Sequence, residues 1–228
     1  MSTEARLLLS IIKLGAGQVD VQKVSQDSKV PLSLANESLK KLENKKLIQL
    51  SNGRITTSPK QRLGLAILAI RDGVDIEEVC KLLGWGEFED LVALVLEYNG
   101  FSSKKHFRFK TQGRWFEIDV LGWKEPLLLS IDCKHWKRSW QRSATMTIVE
   151  KQLQRTEALV NSSQKIGVRI GVTGWEEVRV LPLILTLSKT PLKTYKEVPV
   201  VPIFHLQNFL NNEIFTYLDD FRFYEVSQ

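Results

Sequence analysis

Two cysteines, Cys80 and Cys133, are all that 228 residues provide, too few for a disulfide framework or a cysteine-built zinc site. Long apolar runs are missing as well. Stretches such as 180–187 fall far short of the roughly 20 residues a membrane helix needs. The opening Met1-Ser2-Thr3-Glu4-Ala5-Arg6 has no basic stretch leading into an apolar one, so no secretory signal is read. Internal repeats and low-complexity segments are absent. The expectation is an intracellular, cytoplasmic chain with no membrane partner, on which the Asn36-Glu37-Ser38 and Asn161-Ser162-Ser163 sequons are chance matches. With 43% hydrophobic and 25% charged residues, the composition is that of a globular protein, long enough for one or two domains.

Acids are missing from two segments. Residues 104–114 hold Lys104, Lys105, Arg108, Lys110 and Arg114, and residues 134–142 hold Lys134, Lys137, Arg138 and Arg142, with no Asp or Glu in either. These nine cations exceed the whole net charge of +6, so the rest of the chain is net acidic and the positive charge is focal. Phe107, Phe109, Trp136 and Trp140 lie among them. Aromatics among cations suit a nucleic-acid surface, and they equally suit ordinary strands carrying solvated lysines.

The first part reads as helices followed by a hairpin. Residues 3–14 carry Leu7, Leu8, Ile11, Ile12 and Leu14 as a helical stripe ended by Gly15 and Gly17. Asp20 caps a short helix over 21–27, and a longer one over 34–46 places Leu34, Leu39 and Leu42 near one face. Residues 47–50 and 54–57 are β-prone and joined through Ser51-Asn52-Gly53, the strongest local hairpin signal. Three helices and a hairpin are the element order of a winged helix-turn-helix. Its third helix would offer Lys40, Lys41, Lys45 and Lys46, and its wing Arg54, to DNA; contact with protein is the other use of such a helix. Ser58-Pro59-Lys60-Gln61 starts a further helix with a capping box. The domains expected are 1–73, DNA-binding, and 74–228.

Helices at 75–83 and 87–99 precede strands at 105–109, 115–121 and 127–134. A helix at 144–161 follows, then strands at 166–173, 178–187 and 200–204, and a helix from 205. Pro182 favours an edge or a bulge for the strand at 178–187. The class is α/β (α+β overall), with a central mixed sheet flanked by helices in the second domain.

An acid, any residue, then lysine occurs three times, at Asp27-Ser28-Lys29, Glu43-Asn44-Lys45 and Asp132-Cys133-Lys134, and the last differs from the others by ending the apolar run Leu127-Leu128-Leu129-Ser130-Ile131. In a strand Asp132 and Lys134 share a face, while Ile131 and Cys133 point the other way. An ionised aspartate at the end of a buried strand needs a partner. Asp119 lies in the strand before, and a hairpin would bring the two carboxylates together, where a divalent cation relieves their repulsion. A structural Asp132–Lys134 pair with Asp119 on the surface is the alternative.

Asp119, then Asp132-Cys133-Lys134 after an apolar strand, resembles the PD-(D/E)xK nuclease superfamily. Residues 88–101 are similar to its first core helix, which often carries a glutamate where Glu89 stands. Within the superfamily the likeness is to archaeal Holliday-junction resolvases and to Mrr-type restriction endonucleases, the latter also with a winged helix before the nuclease domain. It spans about residues 86–173. The resemblance implies a restriction-endonuclease-like domain in which Asp119 and Asp132 bind Mg²⁺ or Mn²⁺ and Glu89 supports the metal. Lys134 would orient water or stabilise charge on the phosphate. Gln152 or Gln154 would match a glutamine found in some members. Ile118 stands where the motif's name has a proline, and Glu117 is the one candidate for a second acid in that strand. The function implied is metal-dependent hydrolysis of DNA in repair, recombination or restriction, by a homodimer. A non-catalytic DNA-binding regulator and an RNA-processing nuclease are the alternatives.

Overall fold

A computed structural model describes residues 1–15, 17–137, 140–162, 170–172 and 174–227. The chain forms two compact units, Met1–Phe88 and Glu89–Gln228. Among the described residues no helix is long and apolar enough to cross a membrane.

Unit 1 is built by local signals. Helix α1, Thr3–Leu14, starts where Ser2 Oγ accepts the Ala5 N–H and buries Ala5, Leu7, Leu8, Ile11 and Ile12. Strand β1, Gly17–Asp20, leads into α2, Val21–Ser28, capped by Asp20, whose Oδ1 accepts the Gln22 N–H at 2.7 Å. Helix α3 is Leu32–Asn44. Strands β2, Gln49–Ser51, and β3, Arg54–Thr57, form the expected hairpin, with Asn52 at φ 50° and Gly53 at φ 72°. The sheet order is β1-β3-β2, a winged-helix arrangement.

Three expectations change here. Strand β1 was not legible, because Val19 is its only apolar residue; it forms by pairing with the open edge of β3, Val19 opposite Ile55. Helix α3 starts at Leu32, and its buried face is Ala35, Leu39 and Leu42, while Leu34 is exposed. It also ends earlier than expected. Lys46 takes φ 59°, its N–H donates to Glu43 O and that of Leu47 to Leu42 O, a Schellman closure. Lys45 and Lys46 therefore stand in the turn after the helix.

The unit continues well past Gly73. Helix α4, Pro59–Arg71, carries the capping box read from Ser58-Pro59-Lys60-Gln61, and α5, Ile76–Leu82, is capped by Asp75. Buried Arg62 ties them to α1 and to the start of α6, Trp85–Tyr98. Its Nη1 donates to Ile12 O at 2.7 Å, its Nη2 to Leu82 O at 3.3 Å, and its Nε to Glu87 Oε1 at 2.7 Å. The division consequently falls inside α6 rather than at residue 73.

Unit 2 is the mixed sheet flanked by helices that the sequence indicates. Strands β4, Ser102–Thr111, β5, Arg114–Lys124, and β6, Leu127–Lys134, form an antiparallel meander. Helix α7, Arg142–Val160, crosses to β7, Glu177–Thr186, which runs parallel to β6 and to β9, Val198–Pro202. Strands β8, Thr194–Tyr195, and β10, Tyr224–Ser227, pair antiparallel with β9 and β7. The strand expected at 166–173 lies outside the described residues but for 170–172, which are not strand. Strand β6 is buried on both faces, which is why it reads as a continuous apolar run.

Pro182 is not at an edge. It lies in β7 between β6 and the β9/β10 side. On that side β10 pairs with residues 177–180 and β9 with 184–186, so Pro182 falls in the gap between the two partners. Helix α6 seats on β5 at Gly122, where a Cβ would meet Leu96 Cδ1 at 2.9 Å.

Candidate active site

The paired ladder of β5 and β6 ends at Val120 opposite Ile131. At the next position a side chain replaces the backbone: Asp119 Oδ2 accepts the Cys133 N–H at 2.9 Å. Asp132 lies on β6 just inside the fork, 2% exposed, and both of its oxygens are engaged. Lys134 Nζ, two residues along the same strand face, is 2.5 Å from Oδ2, and Arg155 Nη1 from α7 meets Oδ1. Burial raises the Asp119 carboxyl above its ordinary range, with repulsion from Asp132 adding to it; the Cys133 N–H, Lys134 and Arg155 oppose the shift.

Glu89 comes to the same place from the first turns of α6. It is fully buried, and neither carboxylate oxygen has a hydrogen-bond partner. Burial, then the nearby Asp119, pushes it up to about 7. His106 Nε2 stands 3.3 Å from Glu89 Oε2 without the alignment of a hydrogen bond, and its Nδ1 is 3.2 Å from Glu117 Oε1. His106 takes φ 50°, and the β4–β5 pairing skips the position where it would face Asp119. A non-glycine residue in the left-handed region inside a strand is uncommon, and here it turns the ring toward two carboxylates. Glu117 is bonded by Arg108 Nε at 2.5 Å, which with His106 holds its carboxyl below the usual range, and it shares His106 with Glu89.

On α7, Gln152, Arg155 and Thr156 share one face, being three and four residues apart. Gln152 Nε2 donates to Ser130 O at 2.6 Å and Ser130 Oγ at 3.0 Å, while its buried Oε1 has no partner. Gln152, not Gln154, thus faces β6. Cys133 is fully buried, and burial followed by the nearby carboxylates raises its thiol well above the ordinary value, which suits a core residue and not a nucleophile.

The fold therefore brings Asp119, Asp132 and Lys134 together and sets Glu89 beside Asp119. Among the described residues no three His, Cys, Asp or Glu side chains stand close enough to hold one metal ion. Sequence reasoning missed His106 and Arg155. The signal for Arg155 was its spacing from Gln152 on α7; His106 depends on a backbone conformation with no local sequence signature.

The cations of residues 104–114 divide into two groups. Lys105 pairs with Asp90 and Arg108 with Glu117. Lys104, Lys110 and Arg114 lie over the Phe107, Trp115 and Phe116 rings, 5.8, 6.0 and 5.2 Å from their centroids. After β6, Trp136 and Trp140 stack with centroids 4.6 Å apart, and Lys137 and Arg142 are exposed. Arg138 lies outside the described residues. In unit 1, Lys40, Lys41, Lys45 and Lys46 are exposed, with Lys41 paired to Glu37 at 2.8 Å; Arg54 Nη1 donates to Gln18 Oε1 at 3.1 Å.

No family model matches the chain. An uncharacterized protein of Archaeoglobus fulgidus is 29% identical over 140 residues, which are 61% of this chain and 98% of that protein. A crystal structure of a protein of unknown function, AF1548, matches at 18% identity and a TM-score of 0.35 over 52% of this chain. Protein VC1899 from Vibrio cholerae matches at 13% identity and a TM-score of 0.41 over 96% of this chain. The chain spans 57% and 50% of the lengths of these two solved chains.

Proposed function

We propose that this chain is a Mg²⁺- or Mn²⁺-dependent endonuclease of the PD-(D/E)xK superfamily, acting on DNA in the cytoplasm. Unit 2 would be its restriction-endonuclease-like nuclease and the winged helix of unit 1 a second DNA contact. The observation that carries the reading is the fork of β5 and β6. There Asp119 and Asp132 repel one another beside Lys134, and Glu89 is buried next to them with no hydrogen bond to either oxygen and only His106 nearby.

Glu89 carboxylate oxygens that no hydrogen bond holds, in a buried site beside Asp119, fit a hard divalent cation. Mg²⁺ needs only one or two protein carboxylates, with water and substrate phosphate completing its shell, so the absence of a three-ligand cluster does not count against it. Asp119, Asp132 and Glu89 would hold the ion or its waters, Asp132 giving up a cation that now engages it. Once bound, such an ion makes water a better nucleophile at neutral pH and neutralises charge developing on the phosphate. Lys134 presents N–H donors to the attacking water or to a phosphate oxygen. Arg155 fixes the Asp132 carboxylate from the helix side. The Asp119–Cys133 bond locks the fork, so the carboxylates are positioned before substrate arrives. Lys104, Lys110 and Arg114, without acidic partners among the described residues, would neutralise backbone phosphates.

The test is cleavage of linear, single-stranded and branched DNA with Mg²⁺ or Mn²⁺, with RNA alongside. Asp132→Asn should abolish cleavage and leave binding near normal, because a ligand is lost with little change of shape. Equal cleavage by wild type and variant would refute the assignment. A homodimer, one copy for each strand, is part of the proposal and is checked by sedimentation. The second reading is a DNA-binding protein without catalysis, favoured by the two cations already on Asp132; for it, no metal and no DNA form would give cleavage.

A further inference from the structure

The parallel strands β6, β7 and β9 end at Lys134, Thr186 and Pro202, on one edge of the sheet. The chain leaving β7 is tied to the end of β6, where the Leu187 N–H donates to Lys134 O at 3.1 Å. Just beyond, the segments that follow β7 and β9 enclose a cavity of about 650 Å³. Its lining includes Lys189, Lys193, Phe204, His205, Glu213 and Tyr217. Crevices past the carboxyl ends of parallel strands are where open α/β sheets take ligands, and this volume is that of a small-molecule site.

The lining combines cations, partly open rings and two carboxylates, Glu213 and Asp220. Lys189 and Lys193 are exposed and make no ion pair with an acid among the described residues. Phe204 and Tyr217 are 39% and 49% exposed, large rings that folding leaves open. Lys189 Nζ lies over one face of Phe204, 5.6 Å from its centroid, so a flat group stacking on this ring would displace the ammonium toward its phosphate. Across from them Glu213 is already engaged, with His205 Nε2 at 2.5 Å and Asn208 Nδ2 at 3.0 Å. A phosphate fits the cations, a planar base fits the rings, and the base edge fits the His205–Glu213 pair. A nucleotide carries all three.

We propose that this cavity holds one unpaired nucleotide of the substrate strand, its base on Phe204 and Tyr217 and its phosphate at Lys189 and Lys193. The inference rests on the nuclease reading and deepens it by naming the substrate class: DNA with an unpaired nucleotide beside the cut, as in a single-stranded end, a flap or a branch. Lys189 is two residues past Leu187, whose N–H donates to Lys134 O, so the subsite lies along the same edge of the sheet as Lys134. Continuous duplex, whose bases stay stacked, does not enter it.

The experiment measures binding, in EDTA so that nothing is cut. A fluorescein-labelled oligo-dT of about a dozen nucleotides and a labelled duplex of equal length are titrated with the full chain by fluorescence anisotropy. For the double variant Lys189→Ala, Phe204→Ala, single-strand affinity should fall about tenfold, as expected for one lost base stack and one phosphate contact; duplex affinity should change less than about twofold. Unchanged single-strand affinity, or an equal fall for both DNAs, overturns the subsite. Should Phe204→Ala misfold, the pair Lys193→Ala and Tyr217→Ala, both on exposed side chains, is read by the same criteria. Cleavage surviving in Asp132→Asn would remove the nuclease reading while leaving this binding result intact, so the two failures are distinct.

Discussion

Replacing Glu89 by glutamine removes a charge and keeps the shape, and its consequence for stability follows from the burial of this carboxyl. In the folded chain Glu89 holds its proton up to about pH 7, against an ordinary value of 4.5. Between those values the folded state binds more protons than the unfolded state, so stability falls as pH rises. That is opposite to a salt-bridged carboxylate, which stabilises once ionised. At about 1.4 kcal/mol for each tenfold in proton affinity, the gap is worth roughly 3 kcal/mol. It is absent at low pH and complete above about pH 7. In a unit of this size it corresponds to roughly 10 °C in Tm.

The assay is urea unfolding of both proteins from about pH 4.5 to 8.5, following the transition of unit 2. Glu89→Gln carries a constant offset, because a buried amide without partners has its own cost. Groups distant from position 89 cancel in the difference. Asp119 does not cancel, but with Glu89 gone it ionises more easily, which adds to the same sign. Relative to wild type the variant should gain about 3 kcal/mol across the range. Mg²⁺ at high pH should then restore wild type more than the variant, since it compensates the ionised carboxylates. A difference that stays flat with pH would refute the desolvated carboxyl, and with it the reason for placing a cation there.

Other outcomes test other parts of the fold. Arg62→Ala should destabilise unit 1 by about 3–5 kcal/mol in denaturant melts, because it strands the partly buried Glu87 carboxylate. Gly122→Ala should cost about 1–2 kcal/mol in the same measurement by pushing Leu96, and α6 with it, off β5. The charge reversals Lys40→Glu and Lys45→Glu should weaken duplex binding and lower the salt slope by about two if α3 meets phosphates; an unchanged slope with altered oligomeric state would assign that surface to protein contact.

Legibility in the sequence followed the range of the interaction. In unit 1, α1 was readable from its apolar stripe and α2 and α4 from the local caps Asp20 and Ser58 with Gln61, and the wing because Asn52-Gly53 fixes its own turn. Strand β1 and Pro182 were not, since each is decided by a strand far away in the chain. In the site, Asp119 and Asp132 followed from the period of two in paired strands. Glu89 was reached only through family resemblance, as nothing in α6 says which sheet residue lies beneath it. Arg155 acts across from α7 to β6, and His106 through a left-handed backbone.

The charge balance at the fork argues that these residues serve more than stability. Glu89, Asp119 and Asp132 face Lys134 and Arg155, so with all groups ionised one negative charge is left over in a poorly solvated place. Stability alone would favour apolar residues of similar volume, since buried ion pairs gain little over them and an unmatched buried charge costs several kcal/mol. Protonating Glu89 is one way to remove the excess, and its raised pKa shows the chain leaning that way. A divalent cation is the other, leaving all three acids ionised and the site net positive, the sign that a phosphodiester requires. The two compete for the same carboxylate, so metal affinity should rise with pH through the range where Glu89 titrates; titration of Mn²⁺ at about pH 6 and pH 8 measures it, and affinity independent of pH would mean that Glu89 has no part in holding the ion.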